Sequence, residues 1–325
     1  MLRFTFSKLI AVSCFTGLTL VGCSGSDDPS SMSSENQDLT PIDIGVIPAV
    51  DVAPVYLGIE EGIFEEHGLE ATATVTQGGA TVIPGVQSGD LDFGFSNVTS
   101  LIIGKDQGLP LQIIAPGPQT TGEKENDYAS IMVGPTSEIQ SVNELENKRV
   151  AVNTLNNITD TLLKEAIQQQ GGDPASVEFV EVAYPDMPSM LENDNVDAIF
   201  VAEPFQTIAL DNDAKIIYSP FVEPVEDLMI STYFTNEQTL QETPEIAEQF
   251  SEAIKEAQAF AEENPDKTRE VFDQFLDLEP SVAQSLVMPN FPQDINLDSS
   301  QQLIDLGVKY EVIDKPVDLK DLISD

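Results

Sequence analysis

Tryptophan is absent from the 325 residues, histidine occurs once, at His67, and cysteine twice, at Cys14 and Cys23. So few soft and imidazole ligands exclude a Cys/His zinc site, and two cysteines exclude a disulfide framework. Basic residues are scarce as well: 14 Lys+Arg stand against 56 Asp+Glu, a formal net charge of −42. A surface that acidic repels a phosphate backbone, which excludes general nucleic-acid binding. The chain has no P-loop, no G-x-S-x-G elbow and no G-x-G-x-x-G fingerprint, so no motif points to a nucleotide, an acyl-enzyme or a dinucleotide. Its one long N-terminal apolar run, Leu9 to Gly22, has 14 residues, too few for an ordinary membrane-crossing helix.

What is present begins with that run. Arg3 and Lys8 precede it, giving the layout of a signal peptide over residues 1–22. It ends Leu20-Val21-Gly22-Cys23, followed by Ser24-Gly25-Ser26. This is similar to a bacterial lipobox, which implies cleavage before Cys23 and a lipid anchor on Cys23. The mature chain would then hold no free thiol, because Cys14 leaves with the signal. Residues 23–39 are rich in Ser and acidic groups, with almost nothing to bury, and read as a disordered tether. A flexible chain of that length spans roughly 20–25 Å. The acidic residues are spread along the sequence, as at Glu60-Glu61 and Glu262-Glu263, which reads as a solvated surface of the kind that suits salty habitats.

From Ile42 onward the pattern is α/β. Ile42–Ile47, Leu69–Thr76, Leu91–Phe95 and Leu111–Ala115 read as strands, with helical spacing over Ala53–Glu66 and Thr81–Gln87 and a helix opening at Ser96–Thr99. Short loops between them predict a parallel sheet covered by helices. A second unit follows, with strands at Ala129–Val133, Arg149–Asn153, Val177–Val182, Val196–Val201 and Lys215–Tyr218 and a helix over Thr159–Gln170. The remainder is mostly helical and lacks a sheet of its own, so it is expected to pack back on the first unit. The expected division is a discontinuous first lobe of residues 40–132 plus 231–325 and a second lobe of 133–230. Two crossings, near Ile131–Pro135 and Val225–Thr232, would form a two-strand hinge between lobes that close on a ligand.

In open α/β sheets a ligand sits outside the carboxyl ends of the strands. That rule nominates Asp51, Gln77, Ser96, Asn97 and Thr99 in the first lobe, and Thr154, Asn156, Asn157, Tyr184 and Glu203 in the second. The starts at Ser96–Thr99 and Asn153–Thr159 offer hydroxyls, amides and free backbone N–H groups, which hold an anion without Arg or Lys. The competing reading is that these residues simply cap their helices. Asp51 and Glu203 favour the opposite cargo, one with amino or ring N–H donors, or a cation. Tyr184, Phe205 and Phe95 are candidate stacking faces, or core. His67 lies at a helix end, where it meets the dipole favourably. No residue pattern calls for a catalytic group, a metal or a cofactor.

Three stretches carry a resemblance: Ile44 to Gly68 (IGVIPAVDVAPVYLGIEEGIFEEHG), Gln77 to Ser100 with Ser-Gly-Asp-Leu-Asp-Phe-Gly at Ser88–Gly94, and Arg149 to Pro204 with Asp197, Ala198, Glu203 and Pro204. Together they resemble the substrate-binding proteins of sulfonate/nitrate/taurine-type ABC importers, the NMT1/THI5-like family. The resemblance implies a two-lobed type II periplasmic-binding-protein fold with a ligand cleft. It also implies a monomeric, exported lipoprotein, anchored outside the cell membrane, that hands a small molecule to an ABC permease. It implies no enzyme activity. A sulfonate or taurine-like anion is the first cargo it suggests, a thiamine-related pyrimidine or other N-heterocycle the second. Many relatives carry Trp before the Glu-Pro pair, where this chain has Ala202. An enzyme resembling pyrimidine synthases, or a surface sensor on the same fold, is the remaining alternative.

Overall fold

The structure is a computed structural model that describes residues 39–76, 79–276 and 278–324. Cys23, which is expected to carry the lipid, lies outside those residues, as do the expected signal, most of the expected tether and Gln77.

Ten strands form two sheets of five. They are β1 (Thr40–Val46), β2 (Leu69–Val75), β3 (Phe93–Asn97), β4 (Leu111–Pro116), β5 (Ala129–Val133), β6 (Arg149–Val152), β7 (Glu178–Glu181), β8 (Ala198–Ala202), β9 (Lys215–Tyr218) and β10 (Ser231–Asn236). The first sheet runs β2-β1-β3-β10-β4 and the second β7-β6-β8-β5-β9. The fourth strand in each order, β10 and β5, is antiparallel to its neighbours. Both sheets are covered on both faces. In the second, Val150, Val152 and Phe200 join the main core while Met132, Ala151, Ile199 and Val201 build a separate cluster behind it. That is the period-two alternation of buried strands with apolar residues on each side.

The two sheets share a clip. At the start of β3, Asp92 Oδ2 accepts the Asp43 N–H at 2.8 Å, and before β8, Asp197 Oδ2 accepts the Arg149 N–H, also at 2.8 Å. Each carboxylate ties its strand to the parallel neighbour that precedes it, so these acidic residues of the recognised stretches are structural. The helical tail docks as its spacing predicts. Helix Pro244–Glu263 buries Ala247, Phe250, Ala253, Ile254, Ala257 and Ala261 against the first sheet, with Phe250 stacked on Phe93 at 4.0 Å between centroids. The single helix expected over Ala53–Glu66 is two, Ala53–Glu60 and Ile63–Glu66, because Gly62 between them takes a left-handed φ of 76°.

The chain changes sheets earlier than the sequence suggested. β5 pairs along its whole length with β8 and β9, so the first crossing is Pro118–Thr120 rather than Ile131–Pro135. A fully apolar stretch such as Ile131–Val133 belongs inside a sheet, whereas Pro116-Gly117-Pro118 suits an exit. The second crossing falls where expected: Ile230 N–H donates to Pro118 and Thr120 N–H to Leu228. A third strand lies beside these two, since Gln119 and Asn290 exchange both backbone hydrogen bonds, at 2.8 and 3.0 Å. Gly117 lies where these strands leave the first lobe, and a Cβ there would sit 2.4 Å from the Ser231 carbonyl oxygen. Gly117→Ala is therefore expected to cost about 1–3 kcal/mol in urea unfolding, the usual range for an overpacked site. Stability equal to the parent would mean that the crossing strands separate freely.

Candidate functional site

The carboxyl ends of β1 and β3 are neighbours in the first sheet, and they deliver Asp51 and the Ser96–Ser100 corner. Asn97 caps helix Val98–Asp106, its Oδ1 accepting the Ser100 N–H at 2.8 Å. Across from it, Asn157 caps helix Ile158–Gln169. The two starts meet: Asn157 Nδ2 donates to Ser100 Oγ at 3.0 Å, both residues buried. The expectation that the two helix starts face one another therefore holds in this structure, with Ser100 as the contact that sequence reading missed.

The starts differ in what they offer. At the Ile158 helix the amides are already used: Asp160, itself buried, accepts from Asn156 and Asn157, and Asn157 Oδ1 accepts from Ile158. Lys164 pairs with Asp160 at 2.7 Å. A helix start that houses its own carboxylate has little left for an anion. Asn156 is an exposed turn residue at φ 52°, and the Thr154 carbonyl accepts from the Thr159 hydroxyl. At the Val98 helix the hydroxyls of Ser96 and Thr99 are buried and have no partner. Thr232, the cross-strand neighbour of Ser96, has an unpartnered hydroxyl too.

Asp51 is 5% exposed, and burial raises its carboxyl from the usual 3.8 to about 7, its own backbone N–H easing and the Asp127 charge adding to the effect. Its charge reaches the hydroxyls of Tyr128, Tyr184 and Tyr233, all pushed up mainly by burial. Asp127 lies between the first crossing and β5. Its Oδ1 accepts the Thr121 N–H at 2.9 Å and the Thr121 hydroxyl at 3.0 Å, while Oδ2 is buried without a partner. Burial raises Asp127 as well, against those hydrogen bonds. Tyr128 and Tyr233 are fully buried with unpartnered hydroxyls, and so is Ser130 Oγ. Asp127, Tyr128, Ser130 and Tyr233 escaped the sequence reading because they sit in or beside apolar strands, where polar side chains look like core filler. No Lys, Arg or His is buried among the described residues.

The remaining expected residues divide. Tyr184 is half-buried and stacks on Phe205 with centroids 6.5 Å apart, whereas Phe95 is core, edge-on to Tyr233 at 5.3 Å. Glu203 is committed to the protein. Its oxygens accept the Thr207 hydroxyl at 2.8 Å, the Thr207 N–H at 3.0 Å, the Val287 N–H at 3.2 Å and the Gln206 side chain at 3.4 Å. Burial still raises its carboxyl. His67 sits at the surface beside Glu256, at 2.8 Å, away from the site.

Two five-stranded α/β lobes joined by crossing strands, with buried polar residues at their strand ends, define a protein of the periplasmic-binding fold. The chain belongs to the NMT1/THI5-like family, whose model matches residues 49–268. No curated protein sequence matches it. Among solved structures it is similar to the alkanesulfonate-binding protein SsuA of Xanthomonas axonopodis pv. citri bound to MOPS, at 16% identity and TM-score 0.75 over 88% of this chain and 99% of that one. It is also similar to the aliphatic sulphonate-binding SsuA of Escherichia coli, at 17% identity and TM-score 0.72 over 88% and 92% of the chains. The nitrate-binding protein NrtA of Synechocystis PCC 6803 matches at 13% identity and TM-score 0.70 over 88% and 86%.

Proposed function

We propose that the protein is the extracytoplasmic substrate-binding component of an ABC importer, a monomer held to the membrane by a lipid on Cys23, which captures a small organic molecule between its lobes and releases it to the permease. The observation that carries this reading is the Ser100–Asn157 bond joining helix starts from both lobes, beside buried hydroxyls that lack protein partners. Buried hydroxyls without partners are costly in a structural core and useful in a binding site. The fold of the sulfonate- and nitrate-binding neighbours supports the assignment to transport. Anchoring through Cys23 is supported by the lipobox-like Leu20-Val21-Gly22-Cys23; among the described residues no helix is long and apolar enough to cross a membrane.

A small organic anion of the sulfonate type is supported by the hydroxyls of Ser96 and Thr99, which can donate to its oxygens. A thermal-shift panel of taurine, alkanesulfonates, nitrate, aromatic carboxylates, aminopyrimidines, thiamine and riboflavin, run in high salt, tests capture directly. Ligand at a hundredfold excess over its Kd stabilises by about 2.7 kcal/mol, a shift of a few degrees. Silence across the panel and across an extract of small metabolites would reject the reading. For whichever compound binds, Asn157→Ala and Thr99→Ala are each expected to weaken affinity by about 1 kcal/mol or more, measured by calorimetry. Unchanged affinity in both would show that closure does not use these helix starts.

A further inference from the structure

Helix Ile158–Gln169 of the second lobe has two unlike sides. On one, Leu162, Leu163, Ala166 and Ile167 are fully buried in the core. The other, counted from its cap, carries Asn157, Thr161, Glu165 and Gln168, which at i, i+4, i+8 and i+11 stand above one another. This polar side is the one that meets the first lobe. At the cap, Asn157 Nδ2 donates to Ser100 Oγ at 3.0 Å. About two turns further along, Lys309 pairs with Glu165 Oε2, and the Tyr310 hydroxyl reaches the same oxygen at 2.7 Å and Gln168 Oε1 at 2.8 Å. Between the two grips, the buried Thr161 hydroxyl has no partner.

Lys309 and Tyr310 end helix Leu297–Lys309, which packs on helix Val98–Asp106 as well as on Ile158–Gln169. The chain beyond it stays with the first lobe: the Asp314 N–H donates to Asp106 Oδ2 at 3.3 Å, and Ile323 bridges to Ile113 of β4. Both grips thus come from the first lobe and land on one helix of the second. Permanent contacts between domains bury apolar side chains, whereas contacts that come and go are more polar. A seam of amides, hydroxyls and an ion pair exchanges its partners for water when it parts, at small net cost and with no apolar surface exposed.

We propose that the polar side of helix Ile158–Gln169 is the closing surface of the two lobes, and that Lys309 and Tyr310 are a clasp on Glu165 and Gln168 that sets the shut fraction. The capture reading gives the clasp its purpose. Cargo that needs both lobes binds only the shut form, so its apparent affinity scales with that fraction. Glu165, Gln168, Lys309 and Tyr310 thereby tune affinity from outside the cargo's reach.

Small-angle X-ray scattering of the purified protein with no ligand added compares the parent with the double variant Lys309→Met/Tyr310→Phe, circular dichroism checking each fold. A larger radius of gyration at unchanged secondary-structure content is expected. Tyr310→Phe alone keeps the ring, shifts the same way by less, and decides the matter if the double variant does not fold. An unchanged or smaller radius overturns the inference. So does loss of the fold in both variants, which marks the two residues as structural. For any compound that binds in the thermal-shift panel, the double variant is expected to bind on the order of tenfold more weakly and yet to associate faster, because open lobes admit cargo without waiting. Equal affinity or slower association overturns the clasp while leaving capture intact. A silent panel counts against capture, and the scattering comparison then decides the clasp by itself.

Discussion

Asp51→Asn is expected to make the unliganded protein more stable at pH 8, by as much as about 4 kcal/mol, and to leave it unchanged at pH 4. Burial is the main cause, and Asp127 adds to it. The carboxyl moves from 3.8 to about 7, so between those values the folded protein holds a proton that the unfolded chain releases. The sign follows: this group's contribution is fully present below pH 4, shrinks as pH rises, and is gone above pH 7. Asparagine keeps the shape and removes the ionisation. Urea midpoints at half-unit steps from pH 4 to 8 would show a parent curve that falls more steeply than the variant's, the difference between them cancelling the background of the acidic surface. Parallel curves would mean that Asp51 has better solvation or pairing than its burial indicates.

Glu203→Ala is expected to act in the other direction, lowering stability by about 3 kcal/mol. The carboxylate holds four donors, three at the start of helix Phe205–Asp211 and the fourth, the Val287 N–H, in the C-terminal segment. Helix Pro280–Ser285, just before Val287, packs on the same helix. Truncation leaves the Thr207 hydroxyl, the Thr207 N–H and the Val287 N–H without this acceptor, while the Gln206 side chain keeps the Asp127 carbonyl at 2.9 Å. Glu203→Gln keeps acceptor capacity at one oxygen and turns a donor toward the others, so about half the loss is expected. Ligand affinity of the folded Gln variant should match the parent. A strong loss of affinity with normal stability would return Glu203 to the binding site.

The α/β class, the two lobes and nearly every strand were legible from period and punctuation, because buried strands and helix caps write themselves locally. The first crossing was not, since Ala129–Val133 is apolar enough to sit anywhere and only its pairing with β8 and β9 places it. Of the buried polar residues at the strand ends, Asp51, Ser96, Thr99 and Asn157 came from the strand-end rule. Glu203 came from the same rule, which sees where a side chain starts and not the donors that surround it here. Asp127, Tyr128 and Tyr233 were invisible for a related reason: they reach the site from the crossing and from an inserted strand, after long detours of the chain.

That inserted strand also sets an order of events. β10 lies between β3 and β4 in the middle of the first sheet, although more than a hundred residues, including the whole second sheet, separate it from them in sequence. As the chain emerges from a ribosome or from an export channel, residues 129–218 can complete their own sheet as soon as they are out. The first lobe cannot close its sheet until Ser231–Asn236 arrives, and the waist lacks its third strand until Asn290 does. Loop-closure entropy delays such long-range pairings and leaves the edges of β3 and β4 open meanwhile. The nascent protein is thus expected to mature from its middle outward, with the N-terminal strands waiting longest for their partners.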